Sequence, residues 1–271
     1  MNNSLRNIWL IAFETCRENG VHNRWFQLCL LGLLFFVLGC RSLSGLPLGS
    51  SAPKLIFDVG HGIISLMSGG VLILLLAYQL STEIQAGVLY GSLARSVSRP
   101  EYLFGKVLGT WMSVVVVVLL AYGLLTVLVV SEINQLKVLT SEVSAPMPEV
   151  WWQLFLFQGL ELLVLAGLTV CISMLSRTFL FPAVTTLALW FAGLLLPGVS
   201  ELAASNSTLV AVLIQTVAWV IPPFELWDLS GKLWYDGAIS HFELLRTLLA
   251  GLLYWALFTA AGVLIFKRRE L

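Results

Sequence analysis

The sequence predicts an all-α polytopic membrane protein, with six transmembrane helices preceded by an amphipathic helix, in one membrane domain spanning residues 1–271. Three observations predict it. The 271 residues are 58% hydrophobic and only 11% charged, where a soluble domain carries about 25% charged residues. Mean hydropathy is +0.91. The apolar residues gather in runs near membrane length, parted by short stretches rich in Gly, Pro and Ser. Lipid offers the backbone no partners, so runs of this kind satisfy their own hydrogen bonds as helices.

Residues 4–23 place Leu5, Ile8, Trp9, Ala12, Phe13 and Cys16 at helical spacing, with Arg6, Asn7, Glu14, Arg17 and Glu18 mostly opposite. That is the pattern of an amphipathic helix lying in the interface, while Leu10 and Ile11 widen its apolar face enough to allow burial against protein instead. The first span covers residues 25–40, short against the ~20 residues a bilayer asks for, and doubles as the targeting signal. A Gly/Pro/Ser-rich loop occupies 41–58. The second span, 59–80, carries Gly60, Gly62, Gly69 and Gly70, which permit close helix approach. Further spans are read at 107–130, 151–175, 180–197 and 245–266, with a polar loop at 131–150. Residues 209–224 offer too few apolar positions before Pro222 and Pro223 to cross, and read as a re-entrant or interfacial helix on the outer side.

Leaving that stretch out gives six spans and both termini on one side. That side then holds ten Lys and Arg residues against five on the other, which makes it cytoplasmic by the positive-inside rule. A seventh span would send the terminal Lys267, Arg268 and Arg269 outside. Six spans fit the charge better.

The longest inner polar stretch is 81–106, predicted as two short helices joined at a bend. Ile84, Val88 and Leu89 share a face of the first, over 82–95. Ser98 and Glu101 form an S-x-x-E capping box for the second, with Pro100 in its first turn. Arg95, Arg99 and Lys106 make the bend basic.

Several chemistries are missing from the sequence. A phosphate loop around Gly105-Lys106 needs glycine where Pro100 stands and Ser or Thr where Val107 stands. No G-x-S-x-G, H-E-x-x-H or paired-cysteine zinc pattern occurs, and Cys16, Cys29, Cys40 and Cys171 are scattered small hydrophobes. His61 near Asp58 reads as a polar pair at the outer end of a span. Glu161 is the unambiguous intramembrane charge, near the middle of 151–175, with Gln158 one turn earlier on the same face. A charge there costs about 2.5–3.5 kcal/mol on insertion scales, so it must face protein or water, or carry its proton. Two readings of Glu161 stay open: a residue of a substrate or proton path, and a polar contact locking helices together.

Residues 81–106 resemble the loop between the second and third spans of type-2 (exporter-class) ABC transporter permeases. That loop reads as a glutamate, a Gly-Thr, R-P-V-S-R, then a hydrophobic residue before Gly-Lys. Glu83, Gly87, Arg95, Val97, Ser98, Arg99, Gly105 and Lys106 fall on the pattern, while Val88 stands for its threonine and Ser96 for its proline. The stretches LELLVLAGLTVCISMLSRT, IPPFELWDL and IFKRREL look similar as well, so the resemblance runs along most of the chain. It implies a coupling helix in 81–106 that docks on a separate cytosolic ATPase, with Glu83, Gly87, Arg95, Ser98, Arg99, Gly105 and Lys106 as the coupling residues. It also implies a second permease chain and a bacterial plasma membrane. ATP and Mg would sit on the partner ATPase, with no cofactor or metal on this chain, no catalysis by it, and no nucleic acid as partner. The rival readings are an intramembrane enzyme using Glu161 with His61 or Asp58, and a mechanical transmitter that moves no substrate.

Overall fold

The computed structural model describes residues 3–45, 52–85, 98–139, 148–204, 221–228 and 239–268. Among these the chain is all-helical, without strands. Its long helices are α1 (Asn3–Arg17), α2 (Arg24–Gly39), α3 (Ala52–Gln85), α4 (Arg99–Leu139), α5 (Pro148–Ser173), α6 (Leu180–Ala204) and α7 (His241–Arg268). Five stretches are long and apolar enough to cross a membrane: Arg24–Leu43, Ala52–Gln85, Arg99–Gln135, Trp151–Ser173 and His241–Arg268. The apolar stretch Leu180–Leu195 of α6 is shorter. The chain is a membrane-embedded helical protein.

Contacts fix the directions of the helices. Glu83 near the end of α3 meets Lys106 near the start of α4, and Gly60 near the start of α3 lies against Leu125. These two helices are therefore antiparallel. Leu160 of α5 meets Gly251 of α7, and Val170 meets Gly262, so α5 and α7 run parallel and in direct contact; α6, which joins them in the chain, places Trp190 against Gly69 of α3. Arg99 at the start of α4 reaches Phe266 at the end of α7, while Asn7 of α1 reaches Glu101. Both ends of the described chain thus lie at one end of the bundle, with the α3–α4 connection.

α5 is the central post. Its membrane-length window is 83% buried, against 17% for that of α7. The cause is in its sequence: α5 is apolar around its whole circumference, so no face prefers the outside.

α1 takes the second of its two expected placements, packed against protein. Asn7 donates to Glu101 and Asn19 donates to Ser113, both pairs 94 residues apart, so α1 runs in parallel register along the first turns of α4. It does not lie across the bundle. The close approach is permitted by Gly105, whose missing side chain leaves room for Ile8 and Ile11, and by Gly109, against Ala12 and Thr15. A single wide π-type turn, Glu18–His22, follows α1 and swings Asn19 inward to 1% exposure. There Asn19 accepts from Gln79 of α3, and Thr110 donates to Gln79 at 3.0 Å.

Several boundaries move outward from the sequence expectation. α3 begins at Ala52, inside the expected 41–58 loop, with Pro53 in its first turn and a Lys54–Asp58 pair at 3.9 Å along it. α4 reaches Leu139, well past 130, because Ile133 still has core to bury against. The largest revision concerns 81–106. Residues 81–85 are the last turn of α3, and 99–106 are the first turns of the 41-residue α4, so no separate second short helix exists. The capping box opens a full-length helix instead. Residues 86–97 lie outside the described residues. So does the expected re-entrant helix at 209–224 up to residue 220; its remainder is irregular chain leading into one 3-10 turn, Phe224–Leu226.

Candidate functional site: a clamp and a buried polar relay

The described members of the predicted coupling set, Glu83, Ser98, Arg99, Gly105 and Lys106, lie at the α3–α4 end. Lys106 is 8% exposed, and its Nζ lies 2.6 Å from Glu83 Oε1 and 3.9 Å from Glu18 Oε2. Tyr102 donates its hydroxyl to the other Glu83 oxygen. This joins three elements, α3, α4 and the turn after α1, through one buried ammonium. The geometry suits the charges: a lysine out of water needs an anion and hydrogen-bond acceptors, and both are supplied here.

Ser98 and Glu101 form the reciprocal cap that their spacing predicts. The Ser98 amide donates to Glu101 Oε2 at 3.1 Å, and the Glu101 amide donates to Ser98 Oγ at 3.4 Å. Arg99 turns to the last helix. Its Nη1 donates to the Phe266 carbonyl at 3.2 Å, and its guanidinium sits 5.6 Å over the Phe266 ring. A cation at the C-terminus of α7 satisfies a carbonyl that the helix itself leaves open. Gly105 serves the contact with α1. Glu83, Ser98, Arg99, Gly105 and Lys106 are thus joined in one clamp, while Gly87 and Arg95 fall outside the described residues.

The second polar cluster lies inside the bundle around Glu161, which is 4% exposed. Three donors hold its carboxylate: Trp190 Nε1–H to Oε1 at 2.9 Å, Gln158 Nε2–H to Oε2 at 3.1 Å, and Ser65 Oγ–H to Oε2 at 3.4 Å. The predicted Gln158 contact is present; those from Trp190 and Ser65 come from helices that the sequence could not bring together. None of the ion pairs among the described residues includes Glu161.

The cluster continues outward. Tyr122 Oη–H lies 3.4 Å from Gln158 Oε1 and 2.7 Å from His61 Nδ1. The other ring nitrogen of His61 is 3.3 Å from Asp228 Oδ1, whose side chain is 50% exposed. A continuous chain of hydrogen-bonding groups therefore runs from the bundle's far mouth to Glu161. His61 is not paired with Asp58 by a hydrogen bond as expected; Asp58 instead meets Lys54. His61 and Glu161 do not touch, because Tyr122 and Gln158 stand between them. The three groups of the enzyme reading are therefore not assembled around one reacting centre.

Four of the relay's members were not singled out from sequence. Tyr122 was legible as the lone tyrosine of a Val/Leu run, while Asp228 is one of two acids in the IPPFELWDL stretch and nothing local sets it apart from Glu225. Trp190 is 1% exposed because its indole N–H has a buried acceptor. Ser65 gave no signal.

No family model matches this chain, and a search of curated proteins finds no relative.

Proposed function

We propose that this chain is the membrane-spanning permease subunit of a transporter driven by separate ABC ATPase subunits, paired with a second permease chain in a bacterial plasma membrane. In this reading α2 to α7 make six crossings, both termini are cytoplasmic, and the clamp end faces the cytosol. The observation that carries it is the clamp. Lys106, Glu83 and Tyr102 tie the end of α3 to the start of α4, and Arg99 adds the end of α7. A push on the connecting residues 86–97 then enters three long helices together, which is what a stroke delivered from outside the membrane requires. The resemblance of residues 81–106 to a permease coupling loop supports the same reading. Within it, Glu83, Ser98, Arg99 and Lys106 brace the base of the loop, leaving Gly87 and Arg95 for the ATPase contact.

The test is co-purification of the tagged chain in mild detergent, followed by ATPase assay in vesicles. A cytosolic P-loop ATPase should accompany the chain, and Arg95→Glu should reduce its stimulated turnover at least tenfold while the chain still inserts. A pure, stable assembly lacking any such ATPase overturns the reading. ATPase stimulation without substrate movement reassigns the chain to a mechanical transmitter.

A further inference from the structure

The relay contains one feature that neither a passive helix lock nor the transporter reading uses: a single hydroxyl proton with two acceptors. Tyr122 Oη lies 2.7 Å from His61 Nδ1 and 3.4 Å from Gln158 Oε1, and it can donate to only one of them at a time. Which one depends on the imidazole. With neutral His61 carrying its proton on Nε2 toward Asp228, Nδ1 is an acceptor and takes the Tyr122 proton. With His61 protonated, both ring nitrogens donate. Nδ1–H then points at the Tyr122 oxygen, and the tyrosine hydroxyl is left with Gln158 Oε1.

We propose that His61, Tyr122, Gln158 and Glu161 form a proton-responsive relay. Uptake of one proton by His61 at the Asp228 mouth redirects the Tyr122 hydroxyl to Gln158 and tightens the hold of Gln158 on Glu161. The ligand of this site is a proton from the aqueous phase at the end opposite the clamp. One N–H bond forms on the imidazole, and no other covalent bond changes. The redirected hydroxyl polarises the Gln158 amide, whose Nε2–H already lies 3.1 Å from Glu161, and hydrogen bonds in series strengthen one another.

The surroundings suit such a site. The groups facing His61 are Asp58 on α3, with Lys54 beyond it; Tyr122 on α4; Glu161 on α5, three hydrogen bonds away; and Asp228 on the segment after the 3-10 turn. Asp228 at the ring and Asp58 on the same helix, itself paired to Lys54, thus give an imidazolium there anions to balance it, with Glu161 further along the relay. The ring is also held in place, stacked on Phe57 with 6.2 Å between centroids, so a change in protonation is expressed in hydrogen bonding and not in ring rotation. The inference stands whether or not the chain transports anything.

Nuclear magnetic resonance on the full chain in lipid nanodiscs, labelled with 15N at His and Trp, tests it. The probe at the far end is the indole N–H of Trp190, bonded to Glu161 and remote from His61; Trp190→Phe assigns it. In the parent protein the His61 ring and the Trp190 indole signals should shift over the same pH interval. Tyr122→Phe should abolish the Trp190 shift while the His61 ring still titrates. His61→Gln keeps a hydrogen-bonding side chain beside Tyr122 but cannot titrate, so its Trp190 signal should be constant with pH; this second variant serves if Tyr122→Phe does not fold. A Trp190 shift that survives in either variant means that Glu161 titrates on its own and overturns the relay. So does a parent protein whose Trp190 signal ignores pH while His61 titrates, or whose His61 does not titrate at all.

Discussion

The clamp and the Glu161 relay are both polar clusters in an apolar bundle, and they are built on opposite plans. The clamp pairs full charges at a helix end: Lys106 with Glu83 and Glu18, Arg99 with the carbonyl of Phe266. The relay holds one carboxylate with neutral donors and reaches the outside through a tyrosine and a histidine. Charge pairs out of water are all-or-nothing, since either partner alone is an unpaid desolvation cost. Neutral hydrogen bonds can be redistributed at little cost, because a hydroxyl or an imidazole can exchange one partner for another. The difference suggests a division of labour, with rigidity where helices must move together and adjustability where a buried charge must be tuned.

The largest expected effect comes from breaking the clamp. Lys106→Met leaves Glu83 nearly buried with only Tyr102 to satisfy it, and should cost about 3 kcal/mol, the lower end for a broken buried pair. The double variant Glu83→Gln with Lys106→Met removes both charges and should recover more than half of that loss. Denaturant titration in mixed micelles measures both. Equal losses in the single and double variants would show that packing, not the ion pair, holds this end together.

A middle-sized effect separates the relay from the clamp. A methyl group at Gly69 runs into the ring of Trp190, which is fully enclosed and cannot retreat. Gly69→Ala should therefore cost about 2 kcal/mol as overpacking and pull the indole off Glu161. The Trp190 N–H resonance should move toward the value of an unbonded indole, while the clamp, about four turns further along α3, keeps its ion pair. An unmoved resonance would mean the indole has more room than its burial implies.

How much of this was legible in the sequence follows from the range of each interaction. The capping box and the Gln158–Glu161 contact were readable because both partners lie within one helical turn. Trp190, Ser65 and Asp228 were not, since nothing local marks a partner on another helix. The placement of α1 stayed open for a different reason. Leu5, Trp9, Leu10 and Phe13 are more than half exposed, while Ala12, Thr15 and Asn19 are buried against α4. In a membrane the large apolar side chains suit the lipid and the small or polar ones suit the neighbouring helix, so hydrophobic periodicity marks the outer face instead of the inner one. Helix ends moved outward at Ala52 and Leu139 because composition averaged over a loop hides the apolar residues at its margins.

The smallest effect sharpens the comparison most. Ser98→Ala removes the acceptor for the Glu101 amide, a loss worth ~1 kcal/mol at typical caps and less here, because that hydrogen bond is long at 3.4 Å. The start of α4 is also held by Arg99 on Phe266 and, two turns on, by Lys106 on Glu83, so releasing the cap should free only the first turn. Hydrogen exchange should therefore quicken at the Glu101 and Tyr102 amides and stay unchanged at 106–110, with global stability lowered by about 0.5 kcal/mol. If Ser98→Ala instead loosens the helix through Lys106, the cap and not the charge pair fixes the junction, and the clamp would lose the rigidity that sets it apart from the relay.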